Sequence, residues 1–137
     1  MKNFLYTFTL LSLFCYDILG QEYAVVCNKK IEHVSLGQIK AIFLKKNSYI
    51  GDKKVLPINL ASRDKIRSSF EKEVLHMSFT RLKSYWTKQH YLGHRPPITM
   101  KSQKAVKAFL YKVEYSIGYM KIESIDKELN ILYQWSD

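Results

Sequence analysis

Two arginines and three serines lie close together in the segment PINLASRDKIRSSFEKEVL, which runs from Pro57 to Leu75. The apolar start of this segment predicts a strand, and the apolar spacing after it predicts a helix that begins near these polar side chains. The first amides of a helix attract anions, and arginine and serine side chains add further donors. We therefore predict an oxyanion site in which arginines supply charge and serines supply hydroxyls. Its residues are Ser62, Arg63, Arg67, Ser68 and Ser69.

The same helix start also carries Asp64, which supports a second interpretation. A carboxylate at this position accepts hydrogen bonds from the free amides and so occupies the place that an anion would use. Charged side chains on the outer face of an amphipathic helix are, moreover, solvated by default. The sequence leaves both interpretations open: an anion site, or an ordinary helix cap beside a solvated charged face.

Other reactive side chains give weaker signals. His90 and His94 have the spacing of two zinc ligands on one face of a helix, but Gly93 between them is typical of a helix end. The apolar run around Cys27 indicates a buried strand residue, with a reactive thiol as the alternative. The sequence lacks a recognisable catalytic triad, a carboxylate pair and a phosphate-cradling glycine loop. We predict a protein that is not an enzyme and has no cofactor and no metal site.

The beginning of the chain has the pattern of a secretory signal peptide. A lysine at position 2 is followed by a largely apolar run over 4–14, and the small residue Gly20 precedes a polar pair. The apolar run is shorter than the roughly 20 residues that a membrane-spanning helix needs. We therefore expect residues 1–20 to be a signal peptide cleaved after Gly20. The mature domain, 21–137, is then periplasmic or secreted and has no transmembrane span.

The chain is strongly basic, with a formal net charge of +10 at pH 7. Such a charge favours anionic partners. An exported protein does not normally meet chromosomal DNA or cytosolic RNA, so we expect phosphate, acidic polymers or membrane head groups and no nucleic acid. Lysine pairs stand at 29–30, 45–46 and 53–54. In a parallel sheet their loops would share one edge with the turn at Arg63 and form a basic rim.

Four apolar runs predict strands, and helical spacings lie between them. In one of these runs Gly118 indicates either a close approach of the backbone to another element or a bulge. Strands that alternate with helices predict an α/β fold with a mainly parallel sheet. The predicted strands cover 23–28, 55–60, 116–122 and 129–135.

Polar residues mark the starts of the helices. Ser35 with Gln38 three residues later matches a capping box, and the apolar residues that follow predict a helix over 36–44. A polar loop is predicted over 45–52. The caps predicted for the later helices are Ser78 or Thr80, and Ser102.

Several short motifs follow one another along the chain. They are VVCNKK at 25–30, VSLGQIKAIFLKKNSYIGDKKVLPINL at 34–60, Tyr85-Trp86, Tyr91 with Gly93, Pro96-Pro97, and Ile117-Gly118-Tyr119. Their order resembles that in the phosphate-binding proteins of phosphate ABC transporters, and in particular the short, single-domain branch of this substrate-binding family, which comprises small exported bacterial proteins. The resemblance implies that 21–137 forms a single lobe of a type II periplasmic-binding-protein-like fold, with a mainly parallel sheet flanked by helices.

The resemblance also implies a function. It suggests an exported, non-catalytic solute-binding-like protein that binds phosphate or a related oxyanion and is linked to transport or sensing, with an exported protein or a transporter as partner. In the family a Ser-Gly-Thr sequence holds phosphate, whereas this chain has Asp-Lys-Ile near 64–66. The alternative is an interaction module that has lost its ligand and uses the basic rim to hold another exported protein or an anionic surface.

A single lobe would supply only half of a binding cleft. Ion pairs in a site that is open to water contribute on the order of 0–1 kcal/mol. We therefore expect any phosphate binding by the monomer to be weak, about millimolar or worse.

Overall fold

The computed structural model describes residues 20–137. The predicted signal peptide covers residues 1–20, and all of it except Gly20 lies outside the described residues. The strands are β1 (Glu22–Cys27), β2 (Tyr49–Ile50), β3 (Lys53–Lys54), β4 (Leu56–Leu60), β5 (Ile98–Met100), β6 (Ser116–Lys121) and β7 (Asn130–Ser136). The helices are α1 (Leu36–Phe43), α2 (Lys65–Glu73), α3 (Phe79–Tyr91) and α4 (Gln103–Lys112), with a short 3₁₀ turn at Ile122–Ser124.

Five strands form one sheet in the order β5-β4-β6-β1-β7. Strand β4 pairs in parallel with β5 and β6, whereas β1 pairs in antiparallel fashion with β6 and β7. Four strands therefore run in one direction, and β1 alone runs against them. The predicted α/β fold with a mainly parallel sheet flanked by helices is confirmed.

Three short strands were not predicted. Strand β2 lies within the predicted polar loop, and β3 directly follows that loop. The two strands form a hairpin around a turn in which Gly51 has φ of +61°. Two residues per strand are too few to show a periodic pattern. Strand β5 has three residues, follows Pro97 and lies at the edge of the sheet, where proline is tolerated.

The predicted helix caps are present. The Ser35 hydroxyl accepts from the Gln38 amide at 3.2 Å, and the Gln38 side chain accepts from the Ser35 amide at 2.9 Å, which completes the capping box. Ser78, rather than Thr80, caps α3. Ser102 caps α4 through the Ala105 amide at 3.1 Å.

An aromatic cluster fills the core between α2 and the sheet. The rings of Phe70 and Tyr119 are stacked with centroids 4.0 Å apart, and Phe43 meets Phe70 edge-on at 4.7 Å. Trp135 packs against Phe70 at 5.6 Å. The predicted burial of Cys27 is confirmed, and this burial raises the pKa of the thiol, which disfavours a reactive thiolate.

Gly118 allows α4 to lie close to β6. A Cβ atom built at this position would stand 2.6 Å from Cγ1 of Val106 on α4. Because Val106 is fully buried and branched at Cβ, it has little room to move. Of the two predicted reasons for this glycine, close approach is therefore the one that applies.

Candidate functional site

The residues of the predicted oxyanion site lie in the turn between β4 and α2 and on the first turns of α2. The Asp64 amide donates to the Ala61 carbonyl at 2.9 Å and closes the turn. The Asp64 carboxylate then accepts from the Ile66 amide at 2.8 Å and caps α2. This is the cap that the second interpretation expected. One of the outward-pointing amides at the helix start is therefore already engaged.

Three predicted residues are exposed around this helix start: Ser62, Arg63 and Ser68. The Ser68 hydroxyl lies 3.4 Å from the carbonyl oxygen of Asp64, a weak contact that leaves it accessible to a ligand. Ser62 and Ser68 line a surface groove of about 650 Å³, which we call the α2 groove. Its other lining residues are Glu71, Lys72, His76, Met77, Ser78 and Phe79.

Arg67 is turned away from solvent. Its Nη1 donates to the Leu60 carbonyl at 3.0 Å, and its Nε lies 3.6 Å from Oε1 of Glu71. The two charged side chains are only 15% and 14% exposed. Within residues 20–137 the buried Nε has no hydrogen-bond acceptor, since the Glu71 contact is too long. Arg67 therefore fastens the carboxyl end of β4 to α2, with its charge already paired.

Ser69 faces the core. It is buried, and its hydroxyl accepts from the indole Nε1 of Trp135 at 2.9 Å. The predicted role of Ser69 as a hydroxyl donor to a solvent anion does not fit this placement. The sequence spacing explains why Ser69 is buried. It is three residues after Ile66 and next to Phe70, and both of these residues lie on the buried face of α2.

A buried polar network beneath the turn was not predicted. The Tyr119 hydroxyl donates to Oδ1 of Asn59 at 2.9 Å and accepts from the Leu60 amide at 3.2 Å. Burial raises the pKa of Tyr119, so the phenol stays neutral. The one signal for this network is the amide of Asn59 inside an apolar strand, because a buried amide needs a partner. The hydrogen bonds of this network hold the carboxyl end of β4 in place.

The predicted basic rim does not form along one edge. Because β1 runs against β4, its carboxyl end lies beside the start of β4 and β6: Cys27 pairs with Ile117, which also pairs with Pro57. The lysine pairs at 29–30 and 53–54 therefore lie at the opposite end of the sheet from the turn at Arg63. Several of these lysines also have acidic neighbours, such as Glu114, which lies 3.2 Å from Lys29.

The histidine pair is divided by a helix end. Helix α3 stops at Tyr91, and Gly93 follows with φ of +83°. The Nδ1 atom of His94 lies 2.7 Å from the side-chain oxygen of Gln89. Across residues 20–137, no three histidine, cysteine or acidic side chains come together as a metal site would require. The helices in the same part of the chain are too short or too polar to cross a membrane.

Comparison with known proteins finds similarity in structure alone. No family model and no curated protein matches the sequence. A protein assigned as a phosphate ABC transporter substrate-binding protein from Clostridium perfringens, solved with bound phosphate, matches 82% of this chain with a TM-score of 0.65 and 16% identity. An ABC-type phosphate transport receptor from Vibrio cholerae matches 82% with a TM-score of 0.64 and 14% identity. PstS from Borrelia burgdorferi matches 83% with a TM-score of 0.59 and 21% identity.

These similarities define the fold as periplasmic-binding-protein-like. The chain spans 44%, 46% and 48% of the three solved chains, so it corresponds to less than half of each. TM-scores of 0.59–0.65 at identities of 14–21% show a shared fold alone.

Proposed function

We propose that this chain is an exported, non-catalytic solute-binding-like protein, linked to transport or sensing, that binds phosphate or a related oxyanion at the turn between β4 and α2. The observation that carries the proposal is the exposure of Ser62, Arg63 and Ser68 around the start of α2, in a fold shared with a phosphate ABC transporter substrate-binding protein and an ABC-type phosphate transport receptor. The serine hydroxyls donate to the anion, and the guanidinium of Arg63 supplies charge.

Two neighbouring residues have supporting roles in this proposal. Arg67 holds the carboxyl end of β4 in place through the Leu60 carbonyl, so that the turn keeps its shape. Asp64 opposes anion binding, because it takes the Ile66 amide and adds a negative charge at the helix start. Because the charge of Asp64 offsets part of the attraction to the anion, we expect the site to bind phosphate weakly.

The affinity follows from the openness of the site. Ser62, Arg63 and Ser68 are all exposed, and each contact with an anion competes with water. We therefore expect a phosphate dissociation constant of about 1 mM or weaker for the monomer. Tight binding requires a second wall, which a partner protein or a second copy of the chain would supply.

Isothermal titration calorimetry tests the proposal. The purified protein is titrated with phosphate and sulfate, with chloride as the reference salt. The Arg63→Ala/Ser68→Ala variant is compared with Arg95→Ala/Ser136→Ala, which removes an exposed arginine and an exposed serine elsewhere. We expect weak phosphate binding that is lost in the first variant and kept in the second.

Two results would refute parts of the proposal. Phosphate heats that equal those of chloride would rule out the anion site. Sub-micromolar binding by a verified monomer would show that a half-cleft suffices and would overturn the predicted weakness.

A further inference from the structure

A second groove, separate from the residues proposed to bind phosphate, is lined by basic side chains. It has a volume of about 510 Å³ and lies where the end of α1, the α2–α3 connection and α3 meet. Its cations are Lys40 on α1, Lys46 just after α1, and Arg81 and Lys88 on α3. We call this the basic groove. It shares only His76 and Met77 with the α2 groove.

One face of α3 forms a wall of the basic groove. Arg81, Ser84, Tyr85 and Lys88 all line it, and their spacing of i, i+3, i+4 and i+7 places them along one helical stripe. At 1.5 Å per residue, Arg81 and Lys88 are separated by about 10 Å along the helix axis. The two cationic side chains are therefore anchored about two helical turns apart along the groove.

These cations lack acidic partners. Within residues 20–137, no carboxylate lines the groove, and none of its four lysine and arginine side chains has a carboxylate oxygen within 4.0 Å. The ammonium of Lys46 instead lies 5.8 Å from the centre of the Tyr85 ring. The four cations of the groove are therefore free of direct ion pairs within residues 20–137.

The floor of the groove is apolar. Leu44 and Leu75 are buried beneath it, and Tyr85 is partly buried. The Tyr85 hydroxyl donates to the carbonyl of Leu44, the residue that caps the end of α1, at 2.6 Å, so the ring is held in place and this carbonyl has a partner. Burial raises the pKa of Tyr85, which keeps this donor protonated. A ligand with an apolar side chain would cover this floor.

We propose that the basic groove binds an acidic peptide segment of a partner protein, with an apolar side chain on the Leu44–Tyr85 floor and carboxylates against Lys46, Arg81 and Lys88. An extended segment of about three residues spans the 10 Å between Arg81 and Lys88. A single oxyanion does not fill a groove of about 510 Å³ and leaves its apolar floor uncovered. A flat lipid surface contacts the rim of a concave groove and leaves its floor empty.

Fluorescence anisotropy with defined peptides tests the proposal. The probe is a fluorescein-labelled peptide of alternating glutamate and aspartate around one tryptophan. One control peptide replaces the acids with glutamine and asparagine, and another replaces the tryptophan with glycine. Vesicles of phosphatidylglycerol test the lipid alternative in a co-sedimentation assay. Circular dichroism verifies that each variant is folded.

Three variants separate groove binding from general attraction. Lys46→Glu/Arg81→Glu/Lys88→Glu reverses charges in the groove. Lys104→Glu/Lys112→Glu/Lys127→Glu makes the same change in net charge at exposed positions outside it. Ser84→Trp fills the groove without changing its charge. We expect the first and third variants to weaken peptide binding by at least about tenfold and the second to change it little.

Each other result overturns the proposal. Equal weakening by both triple variants means non-specific attraction to a basic protein. Binding that survives Ser84→Trp, or that is equally strong for the glycine peptide, means that the groove floor is not used. Vesicle binding without peptide binding assigns the surface to membranes, and no binding of the acidic peptide removes the site.

Discussion

The indole Nε1 of Trp135 donates a hydrogen bond to the hydroxyl of Ser69 over 2.9 Å, and both residues are buried. This bond joins the last strand to the helix that carries the proposed anion site. It also gives two adjacent serines opposite roles, since Ser69 points into the core and Ser68 is exposed.

Substituting these two serines one at a time separates stability from binding. Ser69→Ala leaves the buried indole N–H without an acceptor, which we expect to lower the free energy of unfolding by about 1–3 kcal/mol. Ser68→Ala changes an exposed side chain, with an expected effect within about 0.5 kcal/mol. Urea unfolding followed by tryptophan fluorescence measures both. Phosphate titration should show the reverse order, and a larger loss of phosphate affinity in Ser69→Ala would contradict the assignment.

Removing the charge of Asp64 should strengthen phosphate binding. Asp64→Ser retains a side-chain oxygen that can accept from the Ile66 amide but removes the negative charge at the helix start. We expect stability to change little and phosphate binding to strengthen by up to about fivefold. The control Asp64→Ala removes the charge and also the cap, and should lower stability by about 1 kcal/mol. Unchanged phosphate affinity in both variants would mean that the anion does not bind near Asp64.

The Arg67–Glu71 pair predicts a dependence of stability on pH. Burial raises the pKa of Glu71 above its ordinary value, and the nearby guanidinium of Arg67 only partly opposes this shift. The folded state therefore holds the proton more tightly than the unfolded state does. The stabilisation is present below the ordinary pKa of a glutamate and is lost as the pH rises through the raised value.

Unfolding titrations across this pH range test whether the contribution of Glu71 to stability falls as the pH rises. Glu71→Gln stays neutral, so its free energy of unfolding relative to the parent protein should increase as the pH rises through the raised pKa of Glu71. Glu128→Gln, at an exposed position, is the matched control and should run parallel to the parent protein. A difference that decreases with rising pH would show that the Arg67 interaction, rather than burial, dominates.

Gly118 gives a prediction about packing. A Cβ at this position would lie 2.6 Å from Cγ1 of Val106, so Gly118→Ala should lower the free energy of unfolding by about 1–3 kcal/mol. Val106→Ala removes the clashing methyl groups at the cost of a cavity. In a double-mutant cycle measured by urea unfolding, the double variant should lose less than the sum of the two single variants. Strict additivity would place the source of strain elsewhere.

Local features of the fold were predictable from the sequence because they depend on neighbouring residues. The cap of Ser35 needs only Gln38 three residues away, and the buried face of α2 follows from the spacing of Ile66 and Phe70. The same spacing was sufficient to place Ser69 in the core, but its polar character led to the surface assignment.

Features that depend on distant partners were not predictable in this way. The apolar run of β1 is the same whichever way the strand runs, so its direction became apparent only from its pairing with β6 and β7. Likewise, nothing near Arg67 in the sequence shows that it donates to the Leu60 carbonyl instead of facing solvent. The proposed anion site therefore has fewer surface donors than its composition suggested.

The position of β1 between β6 and β7 has a consequence for the order of folding. Asn130 lies opposite Cys27 although 103 residues separate them along the chain. Among the strands of residues 20–137, β1 is synthesised first and its partners β6 and β7 are synthesised last, and pairing over such a distance is slow. Within residues 20–137, the five-stranded sheet therefore cannot be completed until β7 has been synthesised.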